Sequence, residues 1–163
     1  MTIVIKPHHF IDIVTAVGGG RREWQPAAYG HAVHTVAKSA VADPDVMLRM
    51  EFGADDICAP CCHNVDGVCD DTINTEQLPG APESKGEYNL MLDKRWSERL
   101  GLREGDELTA RAFCGRVRER AGDISELYLE TPAERIAERK EKLAQGVAFF
   151  VDQAPAEPQP EDE

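Results

Sequence analysis

The architecture turns on Asp45-Val46-Met47-Leu48-Arg49-Met50-Glu51-Phe52 and, after Gly53-Ala54, on Asp55-Asp56-Ile57-Cys58-Ala59-Pro60-Cys61-Cys62-His63-Asn64-Val65-Asp66-Gly67-Val68-Cys69-Asp70. Residues 45–52 alternate, with Val46, Leu48 and Met50 on one face, which predicts a half-buried strand. The loop hanging from that strand packs four of the chain's five cysteines into twelve positions. A Cys-x-x-Cys segment curls its backbone so that both thiolates face one centre. The Asn-Val-Asp-Gly turn can then return the chain so that Cys69 joins Cys58 and Cys61. A metal or iron-sulfur site is expected rather than disulfides, because adjacent Cys61 and Cys62 make an awkward bridging pair and 163 residues can build a core without staples. Asp55-Asp56 reads as a cap on the turn before Cys58, accepting backbone N–H bonds.

Elements predicted on either side of this loop give an α+β class: one small domain, mostly helical, with a few short strands and a cysteine-rich metal-binding loop. Thr2-Ile3-Val4-Ile5 suits a short strand, and a helix over His8 to Val17 ends at Gly18-Gly19-Gly20. A second helix is expected over Pro26 to Ala42, stopped by Asp43-Pro44. Thr72 to Gly86 reads as an exposed connection, and Tyr88 to Leu100 ends in a helix that stops at Gly101. After a turn over 102–106, the spacing of Leu108, Ala112, Phe113 and Val117 predicts a helix from Leu108 to Arg120 that carries Cys114 as a small buried hydrophobe. Thr131-Pro132-Ala133-Glu134 reads as a capping box opening a last helix with the stripe Ile136, Leu143, Val147 and Phe150 and a Glu138–Lys142 pair. Residues 1–153 are thus expected to form the metal-binding domain, and 154–163 a disordered acidic tail.

Thirty acidic residues against eighteen basic ones give a formal charge of −12, which repels nucleic-acid phosphates and anionic lipid surfaces. Neither is an expected partner; a small-molecule substrate or a redox protein is. Clustered thiols and no legible targeting segment make a reducing cytoplasm the expected compartment.

Lys6-Pro7-His8-His9-Phe10-Ile11-Asp12, Asp55-Asp56-Ile57-Cys58 with Cys61 and Cys69, and Leu100-Gly101-Leu102-Arg103-Glu104-Gly105-Asp106 resemble, in that order, a small prokaryotic family catalogued as Domain of Unknown Function 1284. The resemblance spans roughly Ile3 to Ile124. Members of that family are thought to bind iron-sulfur, so the resemblance implies a cluster and no established reaction. Where the family carries a cysteine after the paired histidines, this chain has Asp12, and Ile124 to Leu129 lacks the family's C-terminal thiols. The resemblance therefore implies one cluster, [4Fe-4S], on Cys58, Cys61 and Cys69. Its fourth corner is left to Asp12, to Cys62, to Cys114, or to water or substrate.

The histidines supply a second constellation. His8 and His9 stand at a strand-to-helix junction, where side chains converge, and are candidates to move a proton in catalysis. His8 with Asp12 and His31 with His34 have the spacing of a helical His-and-carboxylate metal face, or of a solvated helix face. His63 reads as a supporting donor or an exposed loop residue. Trp24, Tyr29 and Trp96 read as core or pocket walls, and Arg21-Arg22 as an exposed basic pair or a carboxylate-binding pair. Three functions stay open: a cluster whose open iron acts as a Lewis acid in a lyase or desulfurising reaction, a non-enzymatic electron carrier, and a structural zinc module on Cys58, Cys61, Cys69 and a histidine.

Overall fold

The structure, a computed structural model, describes residues 1–154; the tail expected over 154–163 lies, from residue 155 on, outside the described residues. Strands β1 (Thr2–Ile5), β2 (Met47–Met50) and β5 (Glu107–Thr109) form a three-stranded sheet in the order β1-β2-β5. β1 lies parallel to β2, with Ile3 opposite Leu48 and Ile5 opposite Met50; β5 lies antiparallel, with Leu108 opposite Leu48. Ile3, Ile5, Leu48, Met50 and Leu108 are buried, so the alternation read from residues 45–52 marks the core face. A parallel neighbour requires a crossover, here supplied by α1 (Pro7–Gly18) and α2 (Val33–Ala42). The α+β class expected from the sequence is the class observed.

The helices bury their apolar faces in one continuous core with the sheet. α5 (Ala133–Asp152) runs back along α1: Phe10 meets Phe150 with ring centroids 5.6 Å apart, while Gly146 lies against the Val14 carbonyl and Gly18 against that of Lys142. A Cβ on Gly146 would fall 1.8 Å from the Val14 oxygen, so the absence of a side chain is what lets these helices touch. α3 (Lys85–Leu100) is capped by Ser84, whose side chain accepts from the Glu87 N–H, and is closed by Gly101 in the left-handed conformation. Its Trp96 is fully buried and donates its indole N–H to the Tyr128 hydroxyl at 3.0 Å.

Three boundaries differ from expectation. α2 begins at Val33 and not Pro26, because Gly30 has φ +85° and the backbone of Tyr29 and Ala32 bonds to the cysteine loop instead. Residues 107–109 are strand, and Thr109 then caps α4 (Ala110–Arg120) by accepting from the Ala112 N–H. Pairing along β2 outweighs the helical spacing of Leu108. The capping box at Thr131 is not used either: Pro132 occupies the cap position with no side-chain bond. The Glu138–Lys142 pair does form, at 2.6 Å.

Candidate metal centre and adjoining cavity

The turn chemistry of the loop brings its thiols together. Asp66 (φ 52°) and Gly67 (φ 85°) make the two-residue turn of a hairpin, β3 (Asn64–Val65) against β4 (Val68–Cys69). Both positive φ angles match the twist of the strands, which is why Asp-Gly suits this position. Cys69 is thereby placed opposite Asn64, whose N–H bonds to the Cys61 carbonyl at 3.1 Å; the Cys61 N–H in turn bonds to the Cys58 carbonyl at 2.9 Å. Cys58, Cys61 and Cys69 consequently line one small cavity together with His63 and Lys6. Its volume of about 20 Å³ has room for roughly one water-sized particle.

Asp55 anchors this loop to the N-terminus of α1. Its Oδ1 accepts the N–H groups of Ile57 (3.1 Å) and Cys58 (2.9 Å), the capping read from the sequence. Its Oδ2 accepts the Lys6 N–H (2.8 Å) and His9 Nδ1–H (2.7 Å). Burial pushes this carboxyl up, but the bond from His9 and those from the Lys6 and Cys58 backbone outweigh it, holding Asp55 well below the usual carboxylate range. Burial and the neighbouring Asp55 charge push the Cys58 thiol up to about 11. At neutral pH this thiol therefore keeps its proton, which a metal ligand would have to give up.

A second carboxylate repeats the device. Lys6, the cap residue of α1, makes no side-chain cap bond; instead Asp93 on α3 accepts the His8 N–H at 2.9 Å and His8 Nδ1–H at 2.7 Å, both on Oδ1. The positive end of α1 favours both carboxylates. With each Nδ1 committed to a carboxylate as donor, Nε2 is the nitrogen left for chemistry in both imidazoles, whose ring centroids lie 4.3 Å apart. Burial and the neighbouring His8 lower the pKa of His9, so it is neutral at pH 7. Asp93 Oδ2 and Ser97 Oγ, four residues apart on α3, are buried without a partner among the described residues.

Both histidines line a cavity of about 590 Å³, within the usual range for small-molecule sites. Its wall takes in Trp24, Tyr29, Tyr88 and Tyr128, so the aromatic residues serve as pocket wall, except Trp96 in the core. His9 joins the two sites: its ligand nitrogen, a carboxylate oxygen of Asp55 and the Cys58 sulfur lie within 4.8 Å of one another. Asp55 already accepts four hydrogen bonds, so in this trio it orients the other two.

The remaining candidates are placed apart from the thiols. Asp12, the expected fourth ligand, lines the larger cavity, where it accepts from Arg139 at 2.9 Å, and is not among the residues lining the thiol cavity. The helix spacing that aligned Asp12 with the histidines carries it one turn past them, to α5. Cys62 is exposed and outside the thiol cavity, its N–H on the Tyr29 carbonyl at 2.8 Å. Cys114 is buried among apolar side chains, which push its thiol strongly up. His31 lies before α2 and lines the larger cavity; His34 lies within α2, its Nδ1 buried without a partner among the described residues, so the two do not share a helical face. Asp93 was not singled out in the sequence; its one local mark is a carboxylate on the apolar side of α3, between Leu92 and Trp96.

No family model matches this chain, nor does any curated protein or solved structure. No described helix is long and apolar enough to cross a membrane.

Proposed function

We propose that the chain is an iron-sulfur protein in which Cys58, Cys61 and Cys69 hold one cluster, [4Fe-4S], beside a small-molecule site lined by His8 and His9. The observation that carries this reading is the convergence of those three thiols on one cavity whose lining, among the described residues, includes no carboxylate. Soft thiolates select iron-sulfur clusters or zinc over hard cations. A single tetrahedral zinc would hold its sulfurs about 3.8 Å apart, given Zn–S bonds near 2.3 Å. A cluster instead gives each thiolate its own iron and so holds the sulfurs farther apart than one zinc does. Lys6, buried in the same cavity, complements the negative charge of a thiolate-bound centre, and a cavity of about 20 Å³ would have to widen to admit a four-iron cluster.

A cluster with three protein thiolates supplies a Lewis-acidic iron able to polarise a hydroxyl, carboxylate or sulfur leaving group. This chain's residues would do the rest. Asp55 fixes the Cys58 turn and the His9 tautomer, Asp93 fixes His8, and either Nε2 can take or return a proton in the adjoining cavity. That arrangement fits a lyase or desulfurising reaction better than electron transfer, which has no use for a substrate cavity with oriented bases. His63 favours a second reading: it lines the thiol cavity with Nδ1 tied to Asp70 at 2.9 Å, as a fourth ligand of a structural zinc would.

Anaerobic purification followed by iron, sulfide and zinc analysis separates these readings. Iron with matching acid-labile sulfide is expected, sharply reduced in Cys58→Ser, Cys61→Ser and Cys69→Ser. Stoichiometric iron retained in the triple variant would refute the assignment. One tightly bound zinc without sulfide, lost in His63→Ala, would establish the zinc module.

A further inference from the structure

We infer that the 590 Å³ cavity between α1, α3 and α5 is a binding site for a small organic oxyanion, a carboxylate or phosphate ester carrying an aromatic or apolar body. This names the substrate class of the proposed enzyme and rests on that reading for the reaction; the binding itself rests on the cavity alone.

The charge of the lining is the first ground. Over the whole chain acidic residues outnumber basic ones by thirty to eighteen. Around the cavity the balance inverts: Arg21, Lys85, Arg135, Arg139 and Lys142 stand against Asp12 and Glu138. Such an inversion concentrates positive potential in one concave, partly desolvated place, where it draws in anions that the rest of the surface repels.

Convergence is the second. Arg135, Arg139 and Lys142 follow one another at i, i+4 and i+7 on α5, so three cations share one helical face. Lys85 arrives from the start of α3 and Arg21 from just beyond α1. Part of this charge is already answered: Arg139 holds Asp12 at 2.9 Å, Lys142 holds Glu138 at 2.6 Å, and Lys85 holds Asp71 at 3.3 Å. Among the described residues no carboxylate is in ion-pair reach of Arg135 or Arg21. These two guanidinium groups are the forks on offer for a carboxylate or phosphate, whose geometry they match in bidentate fashion.

The walls are the third. Tyr88, Leu92, Tyr128 and Trp24 give the cavity an aromatic and apolar flank, and Tyr128 is held rigidly by the Trp96 N–H on its hydroxyl and by the Arg139 guanidinium 4.6 Å above its ring. An anion with no body would leave this surface wet. A neutral body would leave the guanidinium groups unanswered. Both demands together define an amphipathic anion, presented to the Nε2 atoms of His8 and His9 in the same cavity.

Calorimetric titration with phenylacetate, phenyl phosphate and uncharged 2-phenylethanol tests this. At low salt at least one anion is expected to bind with a Kd below about 1 mM, at least tenfold tighter than the alcohol, and to weaken as salt is raised. Arg135→Gln and Arg21→Gln, both at exposed positions, should each weaken the anion about tenfold or more. Arg139→Gln, which also releases Asp12, is a second variant, to be read only after its unfolding transition is shown intact. Tighter binding of phenyl phosphate assigns a phosphate ester, and tighter binding of phenylacetate a carboxylate. In a Cys58→Ser/Cys61→Ser variant anion binding should persist, so a failed metal assignment leaves this inference standing. No heat from either anion up to about 10 mM, equal binding of all three probes, or unchanged binding in both Arg135→Gln and Arg21→Gln would overturn it.

Discussion

Asp55→Asn changes one oxygen for an amide nitrogen at a position only 2% exposed, where four donors converge. If the new NH2 takes the Oδ1 place, it faces the Ile57 and Cys58 N–H groups and orphans both. If it takes the Oδ2 place, it faces Lys6 N–H and His9 Nδ1; His9 can then change tautomer and accept, leaving only Lys6 N–H orphaned. The second orientation costs less. One buried unsatisfied donor costs about 1–3 kcal/mol, and lost charge assistance in the surviving bonds brings the total to about 3 kcal/mol. For a chain of this size that is a fall in Tm of roughly 6–12 °C, readable by calorimetry or by urea unfolding followed through the Trp96 environment. The loss should depend on pH. The Asp55 carboxyl is held below its ordinary value in the fold, so its stabilisation is fully present above the unfolded pKa near 4 and is lost as pH falls through the lower folded value. The gap between wild type and Asp55→Asn should therefore be widest near neutrality and shrink below about pH 4. A destabilisation under about 0.5 kcal/mol at pH 7, or a gap that widens on acidification, would refute the assignment of Asp55 as the joint between loop and helix.

Gly146→Ala should lower stability by about 3 kcal/mol or more, since its Cβ would fall 1.8 Å from the Val14 oxygen and force α1 and α5 apart; an unfolding midpoint within error of wild type would show that the crossing is looser than described. Asp12→Asn should leave iron and sulfide content unchanged, because Asp12 pairs with Arg139 and not with the thiols; a fall to half or less would return Asp12 to the metal centre. Cys62→Ser should keep full metal content, and Cys114→Ser should keep it while destabilising the core by about 1–2 kcal/mol through a buried hydroxyl; metal lost from folded Cys114→Ser would show a ligand role for a thiol placed in the core.

Local rules, which act over a few residues, carried much of the structure in the sequence itself. The Asp66-Gly67 turn, the alternation of Val46, Leu48 and Met50, the stop at Gly101 and the Glu138–Lys142 pair were all legible, because each depends on backbone angles or spacing within one element. The same rules failed where tertiary pairing competed. Leu108 has helical spacing but pairs with β2, and residues 26–32 give up a helix to bond with the cysteine loop. The site shows the same division. The meeting of Cys58, Cys61 and Cys69 followed from a short loop and its hairpin. Which carboxylate answers which cation or imidazole did not: His8 finds Asp93 across 85 positions, His9 finds Asp55 across 46, and Asp12 finds Arg139 across 127. No spacing rule reaches that far, since such partners are chosen by how α1, α3, α5 and the loop pack, and by the cost of leaving a buried charge or N–H group unpaired. The inverted charge around the large cavity is likewise a property of the fold, made when cations scattered through an acidic chain are turned by three helices toward one space.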